Sequence, residues 1–194
     1  MTDMLQRLQV HKLWLALIAL CALMQFMQNT AAFDRSLIEQ GEIWRLLSGH
    51  FTHLNWSHFG LNMAGVLMVM VFFANYQSSR YWLGAIVFIA LLCSAGLMTD
   101  MQLDRYVGFS GVLHGLFIMG ARFEMRRYKL SGVVLLVLIV AKLIWEQVFG
   151  AMPGSEEMTG GRVAVNAHLY GAVAGVLYLM LAGRLSEYLL RART

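Results

Sequence analysis

The chain has 194 residues, of which 59% are hydrophobic and 13% charged, and its formal net charge is +4 at pH 7. A soluble globular domain carries about 25% charged residues, so about half of the expected surface charge is missing. The composition excludes a disordered chain and argues against a water-soluble enzyme. It indicates a single polytopic α-helical membrane domain that covers residues 1–194.

Six apolar segments have the length of a membrane-spanning helix, which needs about 20 residues to cross a hydrocarbon core of about 30 Å. They cover about residues 13–33, 57–75, 81–98, 109–123, 130–149 and 163–185. The fourth segment is short and rich in glycine, so we expect it to lie among the other helices rather than against lipid. The sequence thus predicts an all-α membrane protein, a six-helix bundle in a lipid bilayer.

The loop between the first and second spans, residues 34–56, contains a cluster of apolar and aromatic residues. We call it the first outer loop, because the charge pattern described next places it on the side opposite the N-terminus. Such a cluster predicts an element that lies against the membrane interface or the bundle. His50 and His53 in this loop are interpreted as structural or interfacial. Their spacing with His58 is not that of a closed zinc site, and no cysteine or carboxylate completes one. We therefore predict no metal and no other cofactor.

The basic residues predict the orientation of the chain. When six spans are threaded through the membrane, most lysines and arginines fall on the side of the N-terminus. The positive-inside rule then places both termini in the cytoplasm. This asymmetry accounts for the net positive charge, and no nucleic-acid partner is needed to explain it.

Four polar residues stand out near the starts of predicted spans, where an unpartnered polar group is costly and marks a functional candidate. His58 and Asn62 lie in the second span, Ser110 begins the fourth, and His168 lies in the first turns of the sixth. All three spans begin on the outer side of the membrane. The four side chains therefore share one depth, within about two helical turns of the boundary.

Glycines on the fourth and sixth spans predict how Ser110 and His168 approach each other. These glycines are Gly111 and Gly115 on the fourth span and Gly171 and Gly175 on the sixth. Each pair has the small-xxx-small spacing that lets two membrane helices pack closely. The sixth-span pair shares the helical face of His168, so close packing places the serine hydroxyl near the imidazole.

These residue types suit acyl transfer. A serine hydroxyl needs a positioned base, and a histidine can take its proton and return it to a leaving amine. His58, Asn62 and the Ser110 backbone N–H are donors suited to a developing oxyanion. No carboxylate lies in the sixth span or beside His168 in the sequence, so we expect a Ser–His dyad rather than a triad. The water for hydrolysis must come from a cavity open to the outer face.

Two charged residues lie inside the fifth span. Lys142 and Glu146 are four residues apart and share one helical face. We interpret them as a self-neutralising pair that faces the bundle. Contact with a docked substrate is the alternative.

The motifs together resemble the rhomboid family of intramembrane serine proteases. The resemblance is carried by Trp44-Arg45, His58-x-x-x-Asn62, Gly108-Phe109-Ser110-Gly111 and Ala167-His168-x-x-Gly171-x-x-x-Gly175. It implies a nucleophile at Ser110, a general base at His168, and an oxyanion hole made by His58, Asn62 and the Ser110 amide.

For Trp44 and Arg45, the same resemblance implies a structural role that holds the first loop in the bundle.

A finer resemblance is to the rhombosortase subfamily. It is carried by the small size, by Gly49-His50-Phe51-x-His53-Leu54-Asn55-Trp56 and by Ser110-Gly111-Val112-Leu113-His114-Gly115. It implies a Gram-negative inner membrane and a membrane-anchored substrate with a GlyGly-CTERM tail, which is a Gly-Gly motif, one transmembrane helix and a basic end. Many rhomboids have a tyrosine at the position of His114, so this histidine either modulates the site or only packs.

Two other classes of function stay open. A haem- or quinone-binding membrane protein would use His58, His114 and His168 as ligands. A non-catalytic rhomboid-like protein would bind membrane helices without cutting them, although such proteins usually lack the serine or the histidine. The sequence leaves open the substrate, the choice between hydrolysis and transfer to an amine, and the oligomeric state.

Overall fold

The computed structural model describes the backbone of residues 2–191 and the side chains of residues 8–183. Helices account for most of this part of the chain. The elements are α1 (Thr2–Met24), α2 (Gln28–Ala31), β1 (Phe33–Asp34), α3 (Arg35–Glu39), α4 (Arg45–Ser48), α5 (Trp56–Phe73), α6 (Ser79–Thr99), β2 (Arg105–Tyr106), α7 (Ser110–Arg127), α8 (Lys129–Phe149), α9 (Ser155–Thr159) and α10 (Val165–Arg191). Short 3-10 turns lie at Gln25–Met27, Gly49–Phe51 and Ala74–Tyr76.

Five segments within the described residues are long and apolar enough to cross a membrane. They are Leu8–Ala31, Trp56–Tyr76, Ser79–Thr99, Lys129–Phe149 and Val165–Gly183. They correspond to five of the six predicted spans, and the prediction of an all-α membrane bundle is confirmed. The remaining predicted span is α7, whose last turns carry charged side chains that lower its hydropathy.

Helix α7 lies at the centre of the bundle. It packs against α5, α6, α8 and α10, and the side chains of its first three turns are largely buried. The expectation that this glycine-rich segment lies among the other helices is confirmed. Its neighbours shield it from lipid, so it does not need the apolar surface of a lipid-facing span.

The packing of α7 against α10 depends on the four glycines that the sequence singles out. A Cβ atom added at Gly171 would lie 1.8 Å from the carbonyl oxygen of Gly111. One added at Gly175 would lie 2.5 Å from the carbonyl oxygen of Gly115. The two backbones therefore approach more closely than any side chain allows.

A short antiparallel pair of strands ties the first outer loop to the segment before α7. Phe33 of β1 faces Tyr106 of β2. Next to it, the Arg35 guanidinium donates hydrogen bonds to carbonyls at and beyond the C-terminal end of α6, among them those of Leu97 (2.9 Å) and Asp100 (2.6 Å). A cation at a helix C-terminus satisfies carbonyls that have no partner within the helix.

Trp44 and Arg45 hold the first loop to the end of α2. The buried Arg45 guanidinium donates to the carbonyl of Ala32 at 2.7 Å and forms an ion pair with Glu42 at 2.7 Å. The Trp44 indole N–H donates to the carbonyl of Thr30 at 3.2 Å. The loop also packs on α6 through α4, so the predicted element against the bundle is a set of short helices.

The loop histidines are buried. His50 Nε2 lies 2.9 Å from Ser94 Oγ on α6. His53 is fully buried, and neither ring nitrogen has a hydrogen-bond partner among the described residues. Desolvation lowers the pKa of His50 to about 4 and that of His53 to about 3, because burial disfavours the charged imidazolium.

We expect acid to destabilise the protein through these histidines. Below pH about 6.5 an unfolded histidine binds a proton, whereas folded His53 stays neutral down to about pH 3. The free energy of unfolding therefore falls as the pH drops through this window. Thermal unfolding in detergent between pH 7.5 and 5.0 measures this slope, and His53→Phe should reduce it. An unchanged slope in His53→Phe would contradict the prediction.

Candidate active site

Ser110 is the first residue of α7, and the turn before it requires glycine. Gly108 has φ +125°, a conformation that side chains rarely adopt, and a Cβ there would lie 2.8 Å from the His58 ring. The Tyr106 hydroxyl donates to the Gly108 carbonyl at 2.6 Å and fixes this turn. Since the first N–H groups of a helix have no partner within it, the Ser110 amide is available as a donor.

Ser110 and His168 are in hydrogen-bond contact. Ser110 Oγ lies 2.9 Å from His168 Nε2, across the interface between α7 and α10. His168 lies in the first turn of α10 and is only 5% exposed. The two residues lie on different helices and are separated by 58 positions in the sequence. They meet because α7 and α10 pack closely at their glycines.

A carboxylate completes this arrangement. Glu146 Oε2 on α8 lies 2.9 Å from His168 Nδ1, and the Glu146 side chain is 2% exposed. The expectation of a Ser–His pair without a carboxylate partner is therefore corrected by the structure. From the sequence, Glu146 is either the partner of Lys142 or a contact for a docked substrate, since no sequence pattern shows which face of α8 meets α10. A glutamate inside an apolar span, one turn after Lys142, is the available signal.

Lys142 and His114 lie on the far side of this carboxylate. Lys142 Nζ is 2.5 Å from Glu146 Oε1, so the predicted pair is present. It is also 3.1 Å from His114 Nε2. The His114 ring stacks on that of His168, with centroids 4.1 Å apart, and its Nδ1 lies 2.8 Å from the Ser110 carbonyl oxygen.

His58 and Asn62 lie one turn apart near the start of α5 and are both buried. Asn62 Nδ2 donates to the His58 carbonyl at 3.0 Å, while Asn62 Oδ1 is buried without a partner among the described residues. His58 Nδ1 accepts from the Leu54 amide at 3.4 Å. A neutral His58 then carries its proton on Nε2, the nitrogen next to Gly108.

One cavity of about 1030 Å³ collects all of these groups. Its polar lining includes His58, Asn62, Ser110, His114, Lys142, Glu146 and His168. Helix α9 and the residues after it form another part of the wall. The Asn55 side chain donates to the carbonyl of Thr159 at 2.9 Å, which fastens α9 to the start of α5.

The geometry fits acid–base chemistry better than metal or haem ligation. Among the described side chains, His114, Glu146 and His168 form a group in which the atoms able to ligate a metal lie within 4.8 Å of one another. However, both nitrogens of each imidazole already have hydrogen-bond partners. The Lys142 ammonium contacts two of the three side chains, and a second cation there would be repelled.

The fold and this site define a multi-pass membrane protein with a serine, a histidine and a glutamate in hydrogen-bond contact on the wall of a cavity. A model of the rhomboid domain matches residues 40–185, well over half of the chain. The chain therefore belongs to the rhomboid family, whose members are in general intramembrane serine proteases. A comparison with curated proteins found no match. The family predicted from the motifs is confirmed.

Proposed function

We propose that this chain is an intramembrane serine endopeptidase that cleaves a peptide bond in or next to the transmembrane helix of a membrane-anchored substrate. Ser110 is the nucleophile, and His168 is the general base and acid. The observation that carries the proposal is the 2.9 Å contact between Ser110 Oγ and His168 Nε2 on the wall of a cavity. A hydroxyl and a base within hydrogen-bond reach are the requirement for nucleophilic catalysis.

The reaction then proceeds in two halves. Ser110 Oγ attacks the peptide carbonyl carbon while its proton passes to His168 Nε2, and the carbonyl electron pair moves to the oxygen. The C–N bond breaks as His168 gives this proton to the leaving amine, which leaves an acyl-enzyme. Water from the cavity then attacks the acyl carbon and gives a proton to His168 Nε2. As the bond between the acyl carbon and Ser110 Oγ breaks, His168 returns this proton to Oγ, and the new carboxylic acid is released and ionises.

The oxyanion of each tetrahedral intermediate needs donors in a site with little water. His58 Nε2, the Asn62 amide and the Ser110 backbone N–H serve as these donors in our proposal. His58 and Asn62 line the same cavity as Ser110. The start of α7 adds the positive end of a helix dipole, which favours negative charge at this point.

We further propose that the substrate helix enters between α5 and α8. Apolar side chains from both helices line the cavity there, namely Leu61, Ala64 and Met68 of α5 and Leu135, Leu138 and Ile139 of α8. Leu61 and Leu138 are exposed, so an apolar helix from the bilayer can contact them without burying an unpaired polar group. Local unwinding of the substrate then brings a peptide carbonyl to Ser110.

The subfamily, the location and the substrate class follow from the rhombosortase-like motifs and are part of the same proposal. The chain resides in a Gram-negative inner membrane with both termini cytoplasmic and the site open to the periplasm. Its substrates are exported proteins with a C-terminal GlyGly-CTERM anchor. His114, which follows Ser110 by one helical turn and stacks on His168, is the motif residue that supports this assignment.

Labelling with a serine-reactive fluorophosphonate tests the proposed activity. Purified wild type should be labelled and should cleave a single-span reporter with a GlyGly-CTERM anchor, whereas Ser110→Ala should do neither. Ser48→Ala is a matched control, because the Ser48 hydroxyl donates to the Ala31 carbonyl at the end of α2 and does not line the cavity. Wild type that takes up no label and cuts no reporter would instead indicate a helix-binding protein without catalysis.

The oxyanion hole makes a separate prediction. Asn62→Ala should lower kcat about 10²–10³-fold, because one donor to the transition state is lost, and KM should change little. The control is Asn75→Ala, at an exposed position beyond the other end of α5. Reporter cleavage in proteoliposomes gives both constants, and an Asn62→Ala enzyme with wild-type kcat would remove this residue from the site.

A further inference from the structure

Glu146 is a buried carboxylate that the mechanism above does not use. Its two oxygens contact His168 Nδ1 and Lys142 Nζ, and the side chain is 2% exposed. A buried charge is tolerated only when it is paired and hydrogen-bonded. Lys142 alone would suffice for pairing, so the second contact, to His168, calls for a different explanation.

The hydrogen bonds around Glu146 have defined directions. The Ser110 carbonyl oxygen can only accept, so His114 Nδ1 carries the proton and a neutral His114 accepts at Nε2. The Lys142 ammonium has donors alone and donates to His114 Nε2 and to Glu146 Oε1. Glu146 Oε2 then accepts from His168 Nδ1–H, and the lone pair of His168 Nε2 faces the Ser110 hydroxyl.

These bonds form a closed ring that starts at the Ser110 hydroxyl and returns to the Ser110 carbonyl. The ring passes through His168, Glu146, Lys142 and His114, and it joins α7, α8 and α10. The imidazoles of His114 and His168 stack on each other at 19° from parallel, and this contact links the two residues directly across the hydrogen-bonded ring. Every polar atom along the ring has a partner of the right type, which is the condition for a stable buried polar network.

We propose that Glu146 is a positioning residue for the reaction of Ser110 and His168, and that Lys142 holds Glu146 in place. This inference rests on the proposed function. Glu146 fixes the His168 tautomer in which Nε2 is free to accept the Ser110 proton. When that proton arrives, the imidazolium forms beside the carboxylate and is stabilised by it, and the Nδ1 proton stays on His168.

Glu146→Gln tests this role, since the amide keeps the shape and loses the charge. A Gln side chain can donate to His168 Nδ1 and so favour the wrong tautomer. We expect kcat for a single-span reporter to fall at least about 100-fold, towards the loss of about 10⁴-fold known for such a change in a serine protease, with KM within about twofold. Glu146→Asp, which retains a carboxylate, should recover part of kcat. Glu157→Gln, at an exposed glutamate on α9, is the control.

A double variant separates positioning from a purely structural ion pair. Glu146→Gln alone leaves Lys142 without its counter-ion and can destabilise the fold, whereas Lys142→Met with Glu146→Gln removes both charges. Thermal unfolding in detergent should return towards wild type in the double variant, while kcat should stay low. A folded double variant, or a folded Glu146→Gln, with kcat within about threefold of wild type would overturn the inference. Ser110→Ala in the same assay is the reference, because activity in that variant would overturn the proposed function itself.

Discussion

Replacing His168 by alanine is expected to reduce cleavage of a single-span reporter to the background of Ser110→Ala. In the proposed mechanism the imidazole, 2.9 Å from the Ser110 hydroxyl, is the base. Loss of the base in a serine protease costs as much as loss of the nucleophile, about 10⁶-fold in kcat. Fluorophosphonate labelling of Ser110 should be lost or slowed by a similar factor, because the probe needs the same activated oxygen.

The double variant Ser110→Ala/His168→Ala makes the prediction sharper. Residues that act as one unit have non-additive effects, so the double variant should be no less active than either single one. His50→Gln is a control for loss of a buried histidine, since His50 is bonded to Ser94 on α6 and does not itself line the cavity. Substantial reporter cleavage by His168→Ala would assign the base to another residue.

The second large effect is expected from Gly171→Ala. The added Cβ would lie 1.8 Å from the Gly111 carbonyl oxygen, which is backbone and cannot rotate away, so α7 and α10 must separate by more than 1 Å. Overpacking typically costs about 1–3 kcal/mol of unfolding free energy, and a clash with backbone places Gly171→Ala at the upper end of this range. A misplacement of about 1 Å at reacting groups can cost about 100-fold in rate. Thermal unfolding and reporter cleavage measure the two effects.

Gly183→Ala is the matched control for this substitution. It changes the same residue type on the same helix, but a Cβ at Gly183 meets nothing within 4 Å. Its stability should stay the same or rise slightly, because alanine favours helix more than glycine does. If Gly171→Ala were as stable and active as Gly183→Ala, the close approach of α7 and α10 would not be what positions Ser110 and His168.

The contact between Ser110 and His168 could be predicted from the sequence because two local patterns determine it. Both residues lie at the start of their helices, which gives their depth, and both are followed by glycines on one face. Depth and helical face together fix most of the relative position of two packed helices. The same reasoning applies to His58 and Asn62, which line the same cavity.

The contact between Glu146 and His168 was missed because it depends on helix rotation. The pairing of Lys142 with Glu146 follows from their spacing within α8, but the neighbour that this face meets depends on how α8 packs against α7 and α10. No periodicity in the sequence gives the rotation of α8 about its own axis relative to these neighbours. The pairing of Phe33 with Tyr106 was missed for a related reason, since strands of two residues leave no alternating pattern to read.

The ring of hydrogen bonds also has a mechanical consequence. It fastens three helices to one another through their polar side chains, and α7 and α10 are further joined where their backbones touch. Helix α5 supplies no member of the ring. If a substrate helix enters between α5 and α8 as proposed, displacement of α8 would break hydrogen bonds of the ring, whereas displacement of α5 would break none of them.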